Sequence, residues 1–277
     1  MRILLCGESW VTHSVHVKGV DSFTTSSYVE GADQLRAALA GADAEVEYLP
    51  GHLVPPQFPG SAAELAGYDV LILSDIGANS LLLSPDTFER SLVRPNRLAA
   101  VEQYVRDGGG LLMIGGYLSF AGIDGKARYH GTQVEEALPV TIGATDDRVE
   151  TPEGVVPVVV RPDHPVVRGL LAAWPALLGY NRVAARPATE VVVTCGADPR
   201  VADVSDPVPV GLAGQPDMPA AGGADPLVAC GEHGAGRSAV FTSDCAPHWG
   251  PPDFLAWPGY PVLWANLVTW LSGAPDQ

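Results

Sequence analysis

Four segments of the sequence carry residue types that can transfer protons or attack a carbonyl group. They lie around Glu8, Asp75, Tyr117 and His248, and each follows a short apolar run. Carboxylates, phenols, thiols and imidazoles act as general acids, general bases or nucleophiles when a substrate is held against them. The candidate ligand-binding residues of these segments are Ser9, Trp10, Asp75, Asn79, Gly115, Gly116, Ser119, Asp244 and Trp249. They form one site only if the fold brings the four segments together.

Alternation of apolar runs with amphipathic stretches predicts how these segments are positioned. Predicted strands cover residues 3–6, 46–49, 68–75, 111–114 and 236–242, and predicted helices cover 31–39, 62–66, 97–106 and 260–271. This order favours right-handed crossovers and a flavodoxin-like parallel sheet with helices on both faces. Ligands of such α/β sheets bind outside the carboxyl ends of the strands, where all four segments would open.

The rest of the chain is expected to add loops and a small antiparallel extension. Residues 8–28 are polar and aromatic and are interpreted as a long loop, and residues 155–160 as a further strand. Residues 190–194 and 226–230 are predicted to be antiparallel strands. Between them, residues 198–225 are rich in Pro, Gly, Asp and Ala, which is typical of a surface excursion. We expect one domain over residues 1–277, with residues 185–235 as its β-rich excursion.

Composition excludes several classes of function. The formal net charge is −16, from 32 acidic and 16 basic residues, and such a field repels nucleic acids and anionic membranes. No apolar run approaches the roughly 20 residues that span a bilayer, and the N-terminal run is too short for a signal peptide. The four cysteines have neither metal-ligand nor redox spacing, which predicts reduced thiols and a cytoplasmic location.

Two further motifs have alternative interpretations. Lys126 and Arg128 belong to the dense basic stretch of this acidic chain, which could bind an anionic substrate group, contact another subunit or pair with nearby glutamates. His13 and His16 could bind a divalent metal, but a loop whose histidines bond backbone groups is favoured, because no strong metal signature is present. We therefore expect neither a metal nor a cofactor.

Phrases distributed over nearly the whole chain resemble the class I glutamine amidotransferase-like family. They are Gly7-Glu8-Ser9-Trp10, Lys18-Gly19-Val20-Asp21-Ser22-Phe23-Thr24, Asp75-Ile76-Gly77-Ala78-Asn79, Gly115-Gly116-Tyr117-Leu118-Ser119, Gly125-Lys126-Ala127-Arg128-Tyr129-His130-Gly131-Thr132 and Asp244-Cys245-Ala246-Pro247-His248-Trp249. The phrase Asp163-His164-Pro165 is more distantly similar to trehalose-utilisation-like proteins. The resemblance implies the class I amidotransferase fold in one domain.

The resemblance also implies a catalytic cysteine on the turn after the fourth strand, where this chain has Tyr117. A phenol with a pKa near 10 does not replace a thiolate as acyl acceptor at neutral pH. His248 lies where the family has its catalytic histidine, but Gly250 stands two residues later in place of an acid. Ordinary glutamine hydrolysis is therefore not expected.

Two substitute schemes remain open. In one, Cys245 is a displaced nucleophile, His248 is its base, and Asp244 or Glu8 orients the histidine; alternatively, Cys245 is simply a buried small hydrophobe. In the other, His248 acts with Glu8 or Asp75 as general acid and base, and Tyr117 and Ser119 donate hydrogen bonds to an oxyanion. Backbone amides at Gly115-Gly116 could also hold a carbonyl or carboxylate oxygen.

The function expected from these features is an amidotransferase-like hydrolase or lyase that acts on a small amide or carbonyl compound. One alternative is a non-catalytic protein of the same fold that binds a small molecule or supports an assembly. Another alternative is a sugar-metabolism protein akin to the trehalose-utilisation group. The basic stretch and the exposed aromatic residues additionally predict a homo-oligomer.

Overall fold

The computed structural model describes residues 1–170, 173–196 and 224–273. Its strands are β1 (Arg2–Gly7), β2 (Ser9–Lys18), β3 (Asp21–Glu30), β4 (Glu45–Leu49), β5 (Val70–Ser74), β6 (Gly110–Ile114), β7 (Val140–Ile142), β8 (Arg148–Val155), β9 (Val158–Val159), β10 (Leu177–Asn181), β11 (Val183–Ala185), β12 (Glu190–Cys195), β13 (Asp225–His233) and β14 (Gly236–Phe241). Its helices are α1 (Asp33–Ala40), α2 (Val54–Gln57), α3 (Ala62–Leu65), α4 (Ala78–Leu82), α5 (Pro85–Phe88), α6 (Arg97–Arg106), α7 (Gln133–Ala137), α8 (Pro252–Leu255) and α9 (Gly259–Leu271). Short 3-10 turns lie at Ile123–Gly125 and Pro165–Val167.

Eight strands form the main sheet, in the order β4-β1-β5-β6-β14-β13-β12-β9. The first five are mutually parallel. Their spatial order is the flavodoxin-like one, with the chain running outward in both directions from β1. The predicted α/β class and parallel sheet are confirmed.

The parallel strands are buried on both faces, which explains their continuous apolar runs. On one face, Ile3 and Leu5 of β1 pack in a cluster with residues of α1 and α9. On the other face, Leu4 and Cys6 pack in a cluster with residues of α3 and α6. Side chains alternate across a strand, so neighbouring residues of β1 support opposite layers.

The predicted antiparallel extension is also present. Strand β13 pairs antiparallel with β14 and with β12, and β12 pairs antiparallel with β9. The strand predicted over residues 155–160 is wrong in its bounds, because β8 ends at Val155 and β9 covers only Val158–Val159. Most of the predicted excursion at 198–225 lies outside the described residues.

The long loop predicted over residues 8–28 is wrong. Strands β2 and β3 instead form a two-stranded antiparallel hairpin in which Lys18 faces Asp21 across the turn. Every residue from 11 to 30 is exposed. The sequence alternates β-branched and polar residues there, but no core covers either face, and the usual contrast between buried and exposed positions is therefore missing.

Candidate functional site

The carboxyl ends of the parallel strands meet at one edge of the sheet, as their topology requires. Gly7 faces Ser74 across β1 and β5, and Ser74 faces Ile114 across β5 and β6. Gly115 then donates its N–H to the carbonyl of Phe241, the last residue of β14 (2.8 Å). The spatial order of the strands reverses between β1 and β5, which is where α/β sheets bind ligands.

Glu8 lies at the centre of this edge and is completely buried. Its Oε2 accepts a hydrogen bond from Ser74 Oγ at 2.5 Å and lies 3.6 Å from Cys245 Sγ. Its Oε1 has no hydrogen-bond partner. Burial, followed by the nearby carboxyls of Asp244 and Asp75, raises the pKa of Glu8 well above its ordinary value, which favours the protonated acid.

The backbone is left-handed at Glu8 and Asp75, the residues that follow β1 and β5 where the strand order reverses. The φ angle is +48° at Glu8 and +42° at Asp75. Such conformations cost a non-glycine residue on the order of 1 kcal/mol or more, and they concentrate at functional sites. Here they turn both carboxyls back over the sheet edge.

Asp75 follows β5, and its side chain holds the turn that follows β6. Its Oδ1 accepts the N–H of Leu118 at 2.6 Å, and its own N–H donates to Ser119 Oγ. Ser119 Oγ in turn donates to the carbonyl of Ile114. Burial raises the pKa of Asp75, and the amides of Leu118 and Tyr117 partly oppose that shift. The predicted oxyanion donor Ser119 is therefore fully used inside the protein.

A second buried pair holds the same turn. Asn181 Oδ1 accepts the N–H of Gly116 at 3.0 Å, and Asn181 Nδ2 donates to Asp147 Oδ1 at 2.8 Å. Asp147 also accepts the amides of Ala121 and Gly122. The sequence does not reveal this pair, because its partners are 25 to 65 residues apart and no local motif links them.

Asp244 and His248 form an acid–imidazole pair after β14. Asp244 Oδ1 accepts the N–H of Ala246, and Oδ2 lies 3.5 Å from His248 Nδ1. The Asp244 side chain is 1% exposed, whereas that of His248 is 40% exposed. Burial and the neighbouring Asp75 raise the pKa of Asp244 well above its ordinary value. The imidazole therefore faces water on one side and a buried acid on the other.

Aromatic rings surround the exposed imidazole. The ring centres of Trp10 and Tyr117 lie 5.3 and 5.4 Å from that of His248. The ring centre of Tyr117 also lies 5.7 Å from that of Trp249. The guanidinium carbon of Arg148 lies 4.9 Å from the centre of the Tyr117 ring. The rings of Trp10, Tyr117 and Trp249 form an apolar wall near the imidazole.

Cys245 is placed differently from His248, although the two are three residues apart. Its thiol is buried, and its hydrogen-bond contacts are Ser74 Oγ at 3.5 Å and Glu8. Burial, then the nearby carboxyls of Glu8 and Asp244, raises the pKa of the thiol well above its ordinary value. A buried neutral thiol is a poor nucleophile, so the thiol scheme is disfavoured.

The remaining candidate residues lie around the edges of this arrangement. Ser9 Oγ accepts the N–H of Gly51, and Trp249 Nε1 donates to Glu150. Asn79 is exposed in the first turn of α4, where the Ala78 N–H donates to the Ala127 carbonyl. That bond brings the segment carrying Lys126 and Arg128 beside the Asp75–Asn79 phrase; Lys126 pairs with Asp124 rather than with a glutamate.

One group of described residues has the donor types and spacing for a metal ion. Glu8, Asp244 and Cys245 each offer a ligand atom, and these atoms lie within 4.8 Å of one another. Oxygen and sulfur donors of this kind suit Zn²⁺. His13 and His16 do not belong to it: an odd separation along β2 places them on opposite faces of the hairpin, where they contact the hydroxyls of Ser26 and Thr25.

A separate cavity of about 330 Å³ lies away from the strand ends. Its lining includes Arg90, Arg94 and Arg97. Asp86 forms ion pairs with Arg90 and Arg94, and Arg97 donates to backbone carbonyls. None of the candidate site residues lines this cavity.

None of the helices in the described part of the chain combines the length and apolar character needed to cross a bilayer. None of the curated proteins matches the sequence.

Solved structures match the whole fold. The cytoplasmic protein STM3548 from Salmonella typhimurium is 43% identical, with a TM-score of 0.85 over 98% of this chain and 99% of that one. The cytoplasmic protein STM1381 from Salmonella typhimurium LT2 is 40% identical, with the same TM-score and coverage. A "putative thua-like protein" from Parabacteroides merdae shares only the fold, at 14% identity and a TM-score of 0.53 over 100% of this chain and 91% of that one.

A family model described as "putative glutamine amidotransferase" matches residues 2–207 and 215–273, and the sheet order agrees with that family's α/β fold. The chain therefore belongs to this glutamine amidotransferase-like family.

Proposed function

We propose that the chain is a hydrolase of a small amide or carbonyl compound that uses His248 as its general acid and base. The observation that carries this proposal is the Asp244–His248 pair, with one buried partner and one half-exposed partner at the sheet edge. An imidazole oriented by a buried carboxyl group can accept a proton from water and deliver it to a leaving amine. The reaction converts an amide and water into a carboxylic acid and ammonia or an amine.

In this scheme no covalent intermediate forms. Water attacks the carbonyl carbon while His248 takes its proton, and the C–N bond breaks as the imidazolium protonates the departing nitrogen. Tyr117 and Trp10 hold the planar amide against the imidazole. Asp244 is a positioning residue, because its contact is with the imidazole rather than with the substrate.

A second candidate function is binding without turnover. It is favoured by the turn after β6, where Asp75 occupies the amide of Leu118 and Asn181 occupies that of Gly116. An oxyanion hole needs such amides to be free for the developing charge. With these two already paired, neither amide is free for an oxyanion, which is compatible with a ligand that is bound but not hydrolysed.

Release of ammonia from glutamine and a panel of small amides tests both candidates. Wild-type turnover should fall at least about 100-fold in His248→Ala, the effect expected for loss of a general acid and base. Cys245→Ser should retain turnover, since the buried thiol takes no part. His16→Ala removes an exposed histidine of the hairpin and is the matched control, with unchanged turnover expected.

Other outcomes separate the two functions. Absence of turnover in wild type, together with melting shifts by the same amides that vanish in Tyr117→Ala, would support binding and reject the hydrolase. Loss of turnover in Cys245→Ser with retention in His248→Ala would reject His248 as the acid and base. Activity gained in Tyr117→Cys alone would show that the scaffold lacks only the family's nucleophile.

We also infer that the protein acts in the cytoplasm. The two Salmonella relatives are described as cytoplasmic proteins. Its four cysteines are free thiols buried in the fold, which suits a reducing compartment.

A further inference from the structure

The hairpin of β2 and β3 is a projecting arm with no cover of its own. Each strand has ten residues, which makes the arm about 33 Å long at the usual rise per residue. The contacts that tie it to the body lie at its base: Ser9 with Gly51, Trp10 with His248 and Tyr28 with His52. A free two-stranded hairpin is at best marginally stable in water.

The arm also concentrates exposed apolar side chains. Of the thirteen large hydrophobic residues that are exposed in the described chain, seven belong to it, and Val15, Val17 and Val20 are 70%, 69% and 102% exposed. Exposed apolar surface gathered in this way marks an interaction site. The seven residues are Val11, Val15, Val17, Val20, Phe23, Tyr28 and Val29.

One face of the arm, which we call the valine face, carries all three valines of β2. Residues two apart in β2 share a face, so Val11, Val15 and Val17 lie on it together, with His13 between Val11 and Val15. Cross-strand pairing adds Tyr28 opposite Val11 and Thr24 opposite Val15. Ser14 and Thr25 face each other on the other side.

Charge points to a second copy of the same chain as the partner. Residues 9–30 contain Lys18, Asp21 and Glu30 as their Lys, Arg, Asp and Glu residues, a net charge of −1, whereas the whole chain carries −16. Two such acidic bodies repel each other, and the repulsion is smallest when they meet through their nearly neutral arms and keep their bodies apart.

Area supports the same partner. If each arm buries one face against the other, the interface reaches on the order of 1,200 Å² in total, the lower limit for a stable complex. We propose that the protein is a two-fold symmetric dimer in which the arms of two copies pack valine face to valine face. A two-fold axis is natural here because the valine face is its own complementary surface.

The proposal is tested by the mass of the protein in solution, measured by light scattering and sedimentation equilibrium. Wild type should be a dimer at micromolar concentration. Val15→Lys with Val17→Lys should raise the dimer dissociation constant at least about 100-fold, because two charges would be buried in an apolar contact. The affected residues are exposed in the monomer, so folding is retained, as unchanged melting of the monomer would show.

Two matched substitutions locate the contact. Ser14→Lys adds a charge to the opposite face of the arm, and Val93→Lys does so at a valine that is 96% exposed elsewhere; both should leave the dimer intact. Hydrogen exchange should show protected amides in residues 11–29 of wild type and faster exchange in the double variant. A monomeric wild type, a dimer that survives the double substitution, or equal dissociation by Ser14→Lys would each overturn the proposal.

Discussion

Glu8 and Ser9 are consecutive residues, yet one ends the most buried region of the molecule and the other begins the most exposed. Glu8 is 0% exposed and has two buried neighbours in Ser74 and Cys245. Residues 11–30 of the arm are all exposed. Both regions are β structure, so the difference comes from what covers them: helices and the neighbouring strands in one case, water or another copy in the other.

The contrast has an energetic meaning. Polar groups at the sheet edge have lost their water and depend on a few fixed partners, so that removal of one partner is costly. Polar groups of the arm exchange protein partners for water at little cost. The same chemical substitution should therefore have a large effect at the edge and a small effect in the arm.

The largest difference in stability is expected between the substitution of a glycine at the sheet edge and that of a glycine in the arm. Gly7 and Gly19 both have positive φ, +103° and +66°. A Cβ at Gly7 would lie 1.9 Å from the Ser74 carbonyl oxygen, whereas a Cβ at Gly19 would have no heavy atom of the described residues within 4 Å apart from those of Gly19 and its two chain neighbours. Gly7→Ala should cost about 4 kcal/mol or prevent folding, and Gly19→Ala about 1 kcal/mol from the left-handed backbone alone. Urea unfolding measures both, and equal losses would contradict the contrast.

The sheet could be predicted because its strands and helices carry strong local patterns. Val70–Ser74 is apolar up to its final serine, Gly110–Ile114 is apolar throughout, and Arg97–Arg106 ends before a run of glycines. The meeting of the four strand ends followed from parallel topology alone. The partners of each side chain could not be predicted, as Cys245 shows, since its thiol contacts Glu8 rather than the imidazole three residues away.

The arm was missed for the opposite reason. Its alternation of Val and polar residues around Lys18-Gly19 is a hairpin pattern, with a glycine in a two-residue turn. Alternation predicts a strand when one set of residues is buried, and within a single copy neither set is. The Asn181–Asp147 pair was missed because its bonds join segments far apart in the sequence.

The second largest difference is expected in how the free energy of unfolding depends on pH, when a buried carboxyl near the sheet edge is compared with an exposed one in the arm. Burial raises the pKa of Asp147 from 3.8 to about 6, so the folded protein holds that proton more tightly than the unfolded chain. Its contribution to stability is complete below pH 3.8 and is lost as the pH rises through 6, up to about 3 kcal/mol in all. Asp147→Asn should make the free energy of unfolding fall less steeply between pH 4 and 6.

The matched control is Asp21→Asn at the tip of the arm, where the side chain is exposed. The difference between each variant and wild type, measured by urea unfolding at several pH values, isolates the single carboxyl from Glu8 and Asp244. A difference curve for Asp147→Asn that is flat from pH 4 to 6 would show that Asp147 is ionised in the folded protein throughout that range.

The smallest difference in stability is expected between the replacement of a buried threonine and that of a threonine in the arm. Thr242 is buried and its Oγ1 donates to the Pro226 carbonyl at 2.8 Å, while Thr25 on the arm contacts His16 Nε2 at 3.0 Å in water. Replacement by Val keeps the shape and removes only the hydroxyl. Thr242→Val should cost about 1–2 kcal/mol because a buried carbonyl loses its donor, and Thr25→Val less than about 0.5 kcal/mol. Thr25 lies opposite the valine face, so dimerisation should not enlarge its effect; a loss at Thr25 as large as that at Thr242 would show that this second face is also covered.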